Sequence, residues 1–161
     1  MHRILFVCMG NICRSPAAEG MLRARLTRDA PHWLDRIEID SAGTHGYHGG
    51  RAPDPRMQQA ARARGIDLSA LRARAVQPED FLRFTHILAM DEANLQHLLT
   101  LRLPSASVVP ALFLPPGEDG RPRAVPDPYY GDGQGFERVL DLLDEGCNAL
   151  VEHLRPFMAP G

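Results

Sequence analysis

A cysteine and an arginine near the start of the chain have the types and the spacing for chemistry on a phosphorylated substrate. Cys8 follows an apolar run, and Arg14 precedes a serine and a proline. A thiolate is a strong nucleophile, and a planar guanidinium binds two oxygens of a phosphate at once. The pair predicts phosphoryl transfer to sulfur. The plainer alternatives are a core cysteine at a strand end and a surface arginine at a helix start.

The elements around this pair are predicted to be a strand, a loop and a helix. The apolar run before Cys8 is typical of a buried strand, and Ser15 is predicted to be an N-cap with Pro16 at the first helical position. Backbone amides of such a loop, with the positive end of the helix, form an anion site that favours the thiolate. Gly10 and Asn11 suit unusual backbone conformations in this loop.

The rest of the chain alternates helices and strands, which predicts a parallel sheet covered on both faces. Helices are expected over 16 to about 29, 54–65, 91 to about 101 and about 134–154, and further strands over 36–43, 84–90 and 106–111. We expect one three-layer α/β domain over residues 1–157, with 158–161 as a short tail and four strands in the flavodoxin-like order 2-1-3-4. Cys8 then lies at the carboxyl end of the first strand, where such sheets bind ligands.

Composition narrows the class of protein. The 161 residues are 44% hydrophobic and carry a formal net charge of −2, which argues against disorder and against a broad attraction to nucleic acid. All 18 basic residues are arginine, which codon bias explains as readily as anion recognition does. The three cysteines show no disulfide framework, and no stretch predicts a signal peptide or membrane insertion. A cytoplasmic location is expected, with export by a dedicated system left open.

Four stretches together resemble the low molecular weight protein tyrosine phosphatases. They are Cys-Met-Gly-Asn-Ile-Cys-Arg-Ser at 8–15, Ile-Asp-Ser-Ala-Gly-Thr at 39–44, Ala-Met-Asp-Glu-Ala-Asn-Leu at 89–95 and Asp-Pro-Tyr-Tyr at 127–130. Their order and spacing match as well. The resemblance implies the phosphatase I type of flavodoxin-like fold and hydrolysis of phosphotyrosine and small aryl phosphates through a phosphocysteine. It also implies a phosphotyrosine-containing protein as partner, inorganic phosphate as product, and no cofactor.

The resemblance assigns the catalytic roles to three residues. Cys8 is the nucleophile, Arg14 binds the phosphate, and Asp127 is the general acid that later activates water. Without the resemblance, an Asp-Pro pair is more often a turn, and Asp119 and Asp132 are nearby competitors for the acid role. The phosphate-binding loop is expected to comprise Met9, Gly10, Asn11, Ile12, Cys13 and Ser15.

Supporting roles within the loop also follow from the resemblance. Asn11 braces the loop through its side chain, Ser15 donates a hydrogen bond to the sulfur, and Ser41 supports the loop from the second strand. A plain N-cap is the alternative for Ser15. Asp91 is expected to cap its helix and to do nothing more.

Aromatic residues are expected at the mouth of the site. Tyr47 lies where the family presents an aromatic side chain to the substrate, although an exposed loop tyrosine without function fits equally well. Tyr129 and Tyr130 are expected to wall the entrance and stack on an aromatic substrate, and the resemblance makes them candidate phosphorylation sites.

The other two thiols have two interpretations each, and two histidines raise the question of a metal site. By resemblance, Cys13 forms a reversible disulfide with Cys8 under oxidants, whereas the alternative is an inert residue packed under the loop. Cys147 is expected in the core or on the surface of the last helix. His45 and His48 do not complete a metal-ligand spacing, so no metal site is expected.

Three rival functions share parts of this pattern. Thioredoxin-coupled arsenate reduction needs additional cysteines in a central segment, and residues 14–146 contain none. Relatives that dephosphorylate arginine carry threonine where Ile12 stands. A non-catalytic phosphate-binding regulator is expected to lack Cys8 or Asp127, and both are present.

Overall fold

A parallel four-stranded sheet organises the computed structural model of this chain, which describes residues 1–128 and 134–158. The predicted residues Tyr129, Tyr130 and Asp132 lie outside that part. The strands are β1 His2–Cys8, β2 Ile37–Gly43, β3 His86–Ala89 and β4 Ala111–Leu112, in the order β2-β1-β3-β4. All pairs are parallel. The predicted fold class and strand order are confirmed.

Helices cover both faces of the sheet. They are α1 Arg14–Asp29, α2 Pro55–Arg62, α3 Asp80–Arg83, α4 Glu92–Leu101 and α5 Gln134–Leu154. Two 3-10 turns, Pro31–Asp35 and Arg155–Phe157, were not predicted, nor was α3. Within the described ranges, no helix combines the length and the apolar character that a membrane span requires.

The central strand β1 separates two hydrophobic clusters. Ile4 and Phe6 are buried with residues of α1 and α5, whereas Leu5 and Val7 are buried with residues of α3 and α4. Successive side chains of a strand point to opposite faces, so an uninterrupted apolar run is what a strand covered on both sides requires. This packing fixes the end of β1, and therefore Cys8, within a rigid core.

The fourth strand is much shorter than predicted, because only Ala111–Leu112 pairs with β3. The expected strand over 106–111 is wrong for residues 106–110. The Arg102 guanidinium donates to the carbonyls of Ala106 and Val108 at 2.6 and 2.7 Å. An arginine side chain thus satisfies backbone groups that a longer strand would have used in the sheet.

Helix boundaries follow the capping residues closely, with one correction. Asp91 caps α4 as predicted, and Asp54, where a helix was expected to begin, caps α2. Each accepts a hydrogen bond from a first-turn amide. Gly65, at φ 81°, ends the turn after α2 in the left-handed region. However, α1 begins at Arg14 and its N-cap is Cys13, so Ser15 is not the N-cap.

Candidate active site

A cavity of about 40 Å³ lies where β1 ends and α1 begins. Cys8 is the last residue of β1, Arg14 is the first of α1, and Asp127 comes from the proline-rich segment before α5. The fold thus brings the three predicted catalytic residues to one place. The cavity is lined by Cys8, Met9, Gly10, Ile12, Cys13, Arg14, His48 and Asp127.

Asn11 holds the loop between Cys8 and Arg14 in shape. Its backbone has φ 58°, which confirms the predicted left-handed conformation. Its side-chain oxygen accepts the Arg74 amide hydrogen at 2.9 Å, and its nitrogen donates to Ser15 Oγ and Ser41 Oγ at 2.8 and 3.1 Å. Every polar atom of this buried amide therefore has a partner, and the predicted bracing role has a concrete geometry.

Ser15 is directed at the sulfur rather than at the helix end. Its Oγ lies 3.0 Å from Cys8 Sγ and accepts from Asn11. Because the Asn11 nitrogen can only donate, the hydroxyl hydrogen of Ser15 is left for the sulfur or for the more distant Ala42 carbonyl at 3.4 Å. This engagement explains why Ser15 does not cap α1.

Ser41 connects the loop to a buried carboxylate that the sequence reasoning missed. Ser41 Oγ donates to Glu19 Oε1 at 2.7 Å, and Arg23 donates to the same carboxylate at 3.2 Å. Burial is the main cause that raises the pKa of Glu19. The sequence signal for this contact was a glutamate on the buried face of α1, since glutamate is rarely buried unless it is paired.

Arg14 is almost fully buried, and both of its terminal nitrogens lie close to protein oxygen atoms. Its Nη1 donates to Asp91 Oδ2 at 2.7 Å and to the Val125 carbonyl at 2.9 Å. Its Nη2 lies 3.6 Å from Asp127 Oδ2. Asp91 therefore does more than cap α4, contrary to the prediction: it also fixes the guanidinium whose fork faces the cavity.

A histidine, for which the sequence predicted no role, lines the cavity beside Gly10. The His48 ring is so close that a Cβ on Gly10 would lie 2.9 Å from its Cδ2. Gly10 does not have a positive φ, so the unusual backbone conformation predicted for it is wrong. A glycine is needed there because a larger residue would collide with His48. Tyr47 is 83% exposed, packs against the His45 ring at 5.4 Å, and is not among the lining residues.

Comparison with known proteins identifies the family of the chain. The sequence profile of the low molecular weight phosphotyrosine protein phosphatases matches residues 3–157. The chain belongs to this family. It is a protein-tyrosine-phosphatase, and therefore a hydrolase, of the low molecular weight type.

Individual relatives cover nearly the whole of this phosphatase. The low molecular weight phosphotyrosine protein phosphatase of Sus scrofa is 37% identical over 155 residues, which are 94% of this chain and 95% of the relative. A protein tyrosine phosphatase from Entamoeba histolytica, solved with Hepes in its active site, has a TM-score of 0.87 and 36% identity over 97% of this chain and 98% of its own. A Drosophila arginine phosphatase has a TM-score of 0.81 and 30% identity, covering 94% and 97% of the two chains.

The three thiols of the phosphatase are free and differ in their surroundings. Cys13 lines the cavity, and burial together with the nearby Asp54 carboxylate holds the pKa of its thiol well above the ordinary value. Cys147 is fully buried in α5, where burial raises the pKa of its thiol to about 12. Among the described residues, no group of three or more histidine, cysteine or acidic side chains could hold a metal ion.

Proposed function

We propose that the phosphatase hydrolyses phosphotyrosine in proteins, and small aryl phosphates, through a phosphocysteine on Cys8. The observation that supports this most directly is that one cavity joins the Cys8 thiol, the Arg14 guanidinium and the Asp127 carboxyl. We further propose that the enzyme acts in the cytoplasm on a phosphotyrosine-containing protein. Its three free thiols suit such a reducing compartment.

In the first step, the Cys8 thiolate attacks phosphorus while Arg14 and the loop amides hold the phosphate oxygens. The bond between phosphorus and the phenolic oxygen breaks, and Asp127 gives its proton to that oxygen, so that a neutral phenol leaves. The guanidinium supplies positive charge where negative charge accumulates. Since Asp91 and the Val125 carbonyl fix Nη1, the guanidinium does not have to reorganise on binding.

In the second step, water attacks the phosphorus of the phosphocysteine. Asp127, now ionised, takes a proton from that water, and the bond between sulfur and phosphorus breaks. Inorganic phosphate leaves and the thiolate is restored. Ser15, 3.0 Å from the sulfur, stabilises this thiolate by a hydrogen bond, both as attacking and as leaving group. Neither step requires a cofactor.

Two rival functions find little support in the geometry. A thioredoxin-coupled relay needs a second accessible cysteine remote from the loop, whereas Cys147 is fully enclosed in the core. A non-catalytic regulator does not account for a thiol and a carboxyl that line the same small cavity. A steady-state assay on phosphotyrosine, phosphoserine and phosphoarginine peptides, with and without a thiol oxidant, tests the proposed activity. We expect turnover of the phosphotyrosine peptide, and its absence would refute the proposal.

Selectivity against phosphoarginine is assigned to Ile12. The fold is shared with an arginine phosphatase, so the backbone does not discriminate, but the branched apolar side chain of Ile12 lines the cavity. Ile12→Thr should raise the ratio of kcat/KM on phosphoarginine to that on phosphotyrosine by about tenfold, the size expected when one pocket group changes from apolar to hydroxyl. The exposed Val109, which lies outside the cavity, offers a matched control as Val109→Thr. An unchanged ratio in Ile12→Thr would remove Ile12 as the cause.

Oxidation should inactivate the enzyme reversibly. Peroxide converts the Cys8 thiolate to a sulfenic acid, which condenses with the Cys13 thiol to a disulfide and releases water. We expect a dithiol to restore wild-type activity, but not the activity of oxidised Cys13→Ser, whose Cys8 proceeds to higher oxides. Cys147→Ser is the matched control and should recover like wild type.

Peptide mapping of the oxidised protein identifies the bond that forms. A link between Cys8 and Cys13 is the expected product. A link between Cys8 and Cys147, or full recovery of Cys13→Ser, would show that Cys13 is only structural.

A further inference from the structure

A surface segment surrounds the phosphate-binding loop and is bonded to it at both ends. We name residues 44–54 the collar. The His45 amide donates to the Met9 carbonyl at 3.0 Å, and the Asp54 amide donates to the Ile12 carbonyl at 2.8 Å. Because these carbonyls belong to residues that line the cavity, the collar is held next to the place where a phosphate would bind. Its exposed side chains are therefore close to the place where a bound peptide would lie.

The exposed side chains of the collar include cationic and aromatic groups but no carboxylate. Residues 44–53 contain no aspartate or glutamate, and Asp54 is buried and paired with Arg56 at 2.9 Å. Arg51 and Tyr47 are exposed, and Arg51 has no ion-pair partner in the described part of the chain. The Arg51 amide donates to the carbonyl of His48, a cavity-lining residue, at 2.9 Å. The backbone of an exposed arginine therefore lies one short turn from a residue of the cavity wall.

A second exposed arginine, Arg72, lies on the segment that pairs with the collar, and we name Arg51 and Arg72 the cationic rim. The backbone of the collar pairs with residue 73, since Gly50 donates to the Ala73 carbonyl and Ala73 donates to the Arg51 carbonyl, both at 2.8 Å. Arg72 is exposed beside this pairing, and its guanidinium donates to two backbone carbonyls of its own loop at 2.7 Å. Within residues 1–128 and 134–158, no carboxylate forms an ion pair with Arg72. Two exposed arginines thus lie on neighbouring, backbone-paired segments of a chain whose formal net charge is −2.

We propose that this rim selects phosphotyrosine that has aspartate or glutamate beside it in the peptide, with Arg51 as the contact for the acidic side chain. The inference rests on the proposed function, because it takes the phosphate to be bound in the cavity beside His48. Exposed charges at the edge of a binding surface mainly speed association and add a modest affinity. The rim therefore acts on kcat/KM through KM and leaves kcat unchanged.

Three phosphotyrosine peptides that differ only in their flanking residues test the rim: one acidic, one neutral and one basic. In wild type, kcat/KM for the acidic peptide should exceed that for the neutral one by about two- to fivefold per ion pair at low salt, and high salt should erase the difference. Arg51→Gln should remove the preference with kcat unchanged. Arg51→Glu should reverse it in favour of the basic peptide.

A matched control removes the same charge far from the cavity. Arg28 is exposed near the end of α1, about 21 Å from Arg14 along the helix axis by the rise per residue. Arg28→Gln should keep the full preference for the acidic peptide. An equal loss of the acidic preference in Arg28→Gln would show that net charge alone causes it, and would refute the proposed role of the rim. A wild type without preference would do the same.

Two further measurements separate this inference from the proposed function. Hydrolysis of p-nitrophenyl phosphate, which has no flanking residues, reports on the catalytic site and should be equal in wild type and Arg51→Gln. Normal turnover of that substrate with equal kcat/KM for all three peptides would refute the rim and leave the proposed function intact. Fluorescence anisotropy of the labelled peptides bound to Cys8→Ser provides a readout that needs no turnover. Equal binding of all three would also refute the rim.

Discussion

Cys8→Ser should abolish turnover of phosphotyrosine while phosphate still binds. The serine hydroxyl remains protonated at neutral pH and is a poor nucleophile, so the loss should be on the order of 10⁴-fold or more, as for the removal of other covalent nucleophiles. Binding should survive because Arg14 is held by Asp91 and the Val125 carbonyl, neither of which depends on the sulfur. Calorimetric titration with inorganic phosphate measures the binding, and a steady-state assay measures the turnover.

The covalent intermediate gives the sharper readout. Rapid quenching of wild type with an aryl phosphate should trap a protein heavier by one phosphoryl group, and mapping should place that group on Cys8. Cys147→Ser, which changes a thiol of the core, should form the same adduct. If Cys8→Ser formed as much phosphoenzyme as wild type, the nucleophile would have to be another residue.

The sequence predicted those parts of the fold that depend on local patterns. The apolar run of β1 needs no partner to be recognised, and Asp54 and Asp91 are capping residues next to their own helices. The predicted strand over 106–111 was wrong for residues 106–110, because Arg102 binds the carbonyls of Ala106 and Val108. The sequence pattern does not show this side-chain contact. Register and pairing of short edge strands depend on such competing partners.

The site was predictable where residues close in sequence cooperate and not where distant ones meet. Cys8, Asn11 and Ser15 lie within eight consecutive residues and contact one another, and their spacing was informative. The ion pair between Arg14 and Asp91 joins residues 77 positions apart, so only the fold reveals that a capping residue also fixes the guanidinium.

Two further site contacts depend on how loops and helices pack. Glu19 meets Ser41 across the interface of α1 and β2, so its engagement could not be inferred from its place in the helical pattern alone. His48 reaches the cavity because Gly10 has no side chain to keep it away. In both cases, the residue type was visible in the sequence, but its neighbour was not.

Asp127→Ala should lower kcat on phosphotyrosine by about a hundredfold or more, the usual contribution of a general acid. Asp127 lines the cavity with Cys8 and lies 3.6 Å from Arg14, so no other described carboxylate is as well placed to reach the leaving oxygen. Asp91 also contacts Arg14, but it is engaged there and at the start of α4. Asp119 is exposed, binds the amide of Arg121 and is not a lining residue, so Asp119→Ala is a matched control that should keep its activity.

The dependence on the leaving group decides whether Asp127 donates the proton. A phenol with electron-withdrawing substituents leaves readily as its anion, so the loss in Asp127→Ala should shrink as the leaving phenol becomes more acidic. A series of substituted aryl phosphates, assayed with wild type and variant, gives this slope directly. A steeper slope in the variant is the expected result, since the variant must expel an unprotonated phenolate. An equal loss across the series would take the acid role away from Asp127, and leave that residue to hold Arg14 in place.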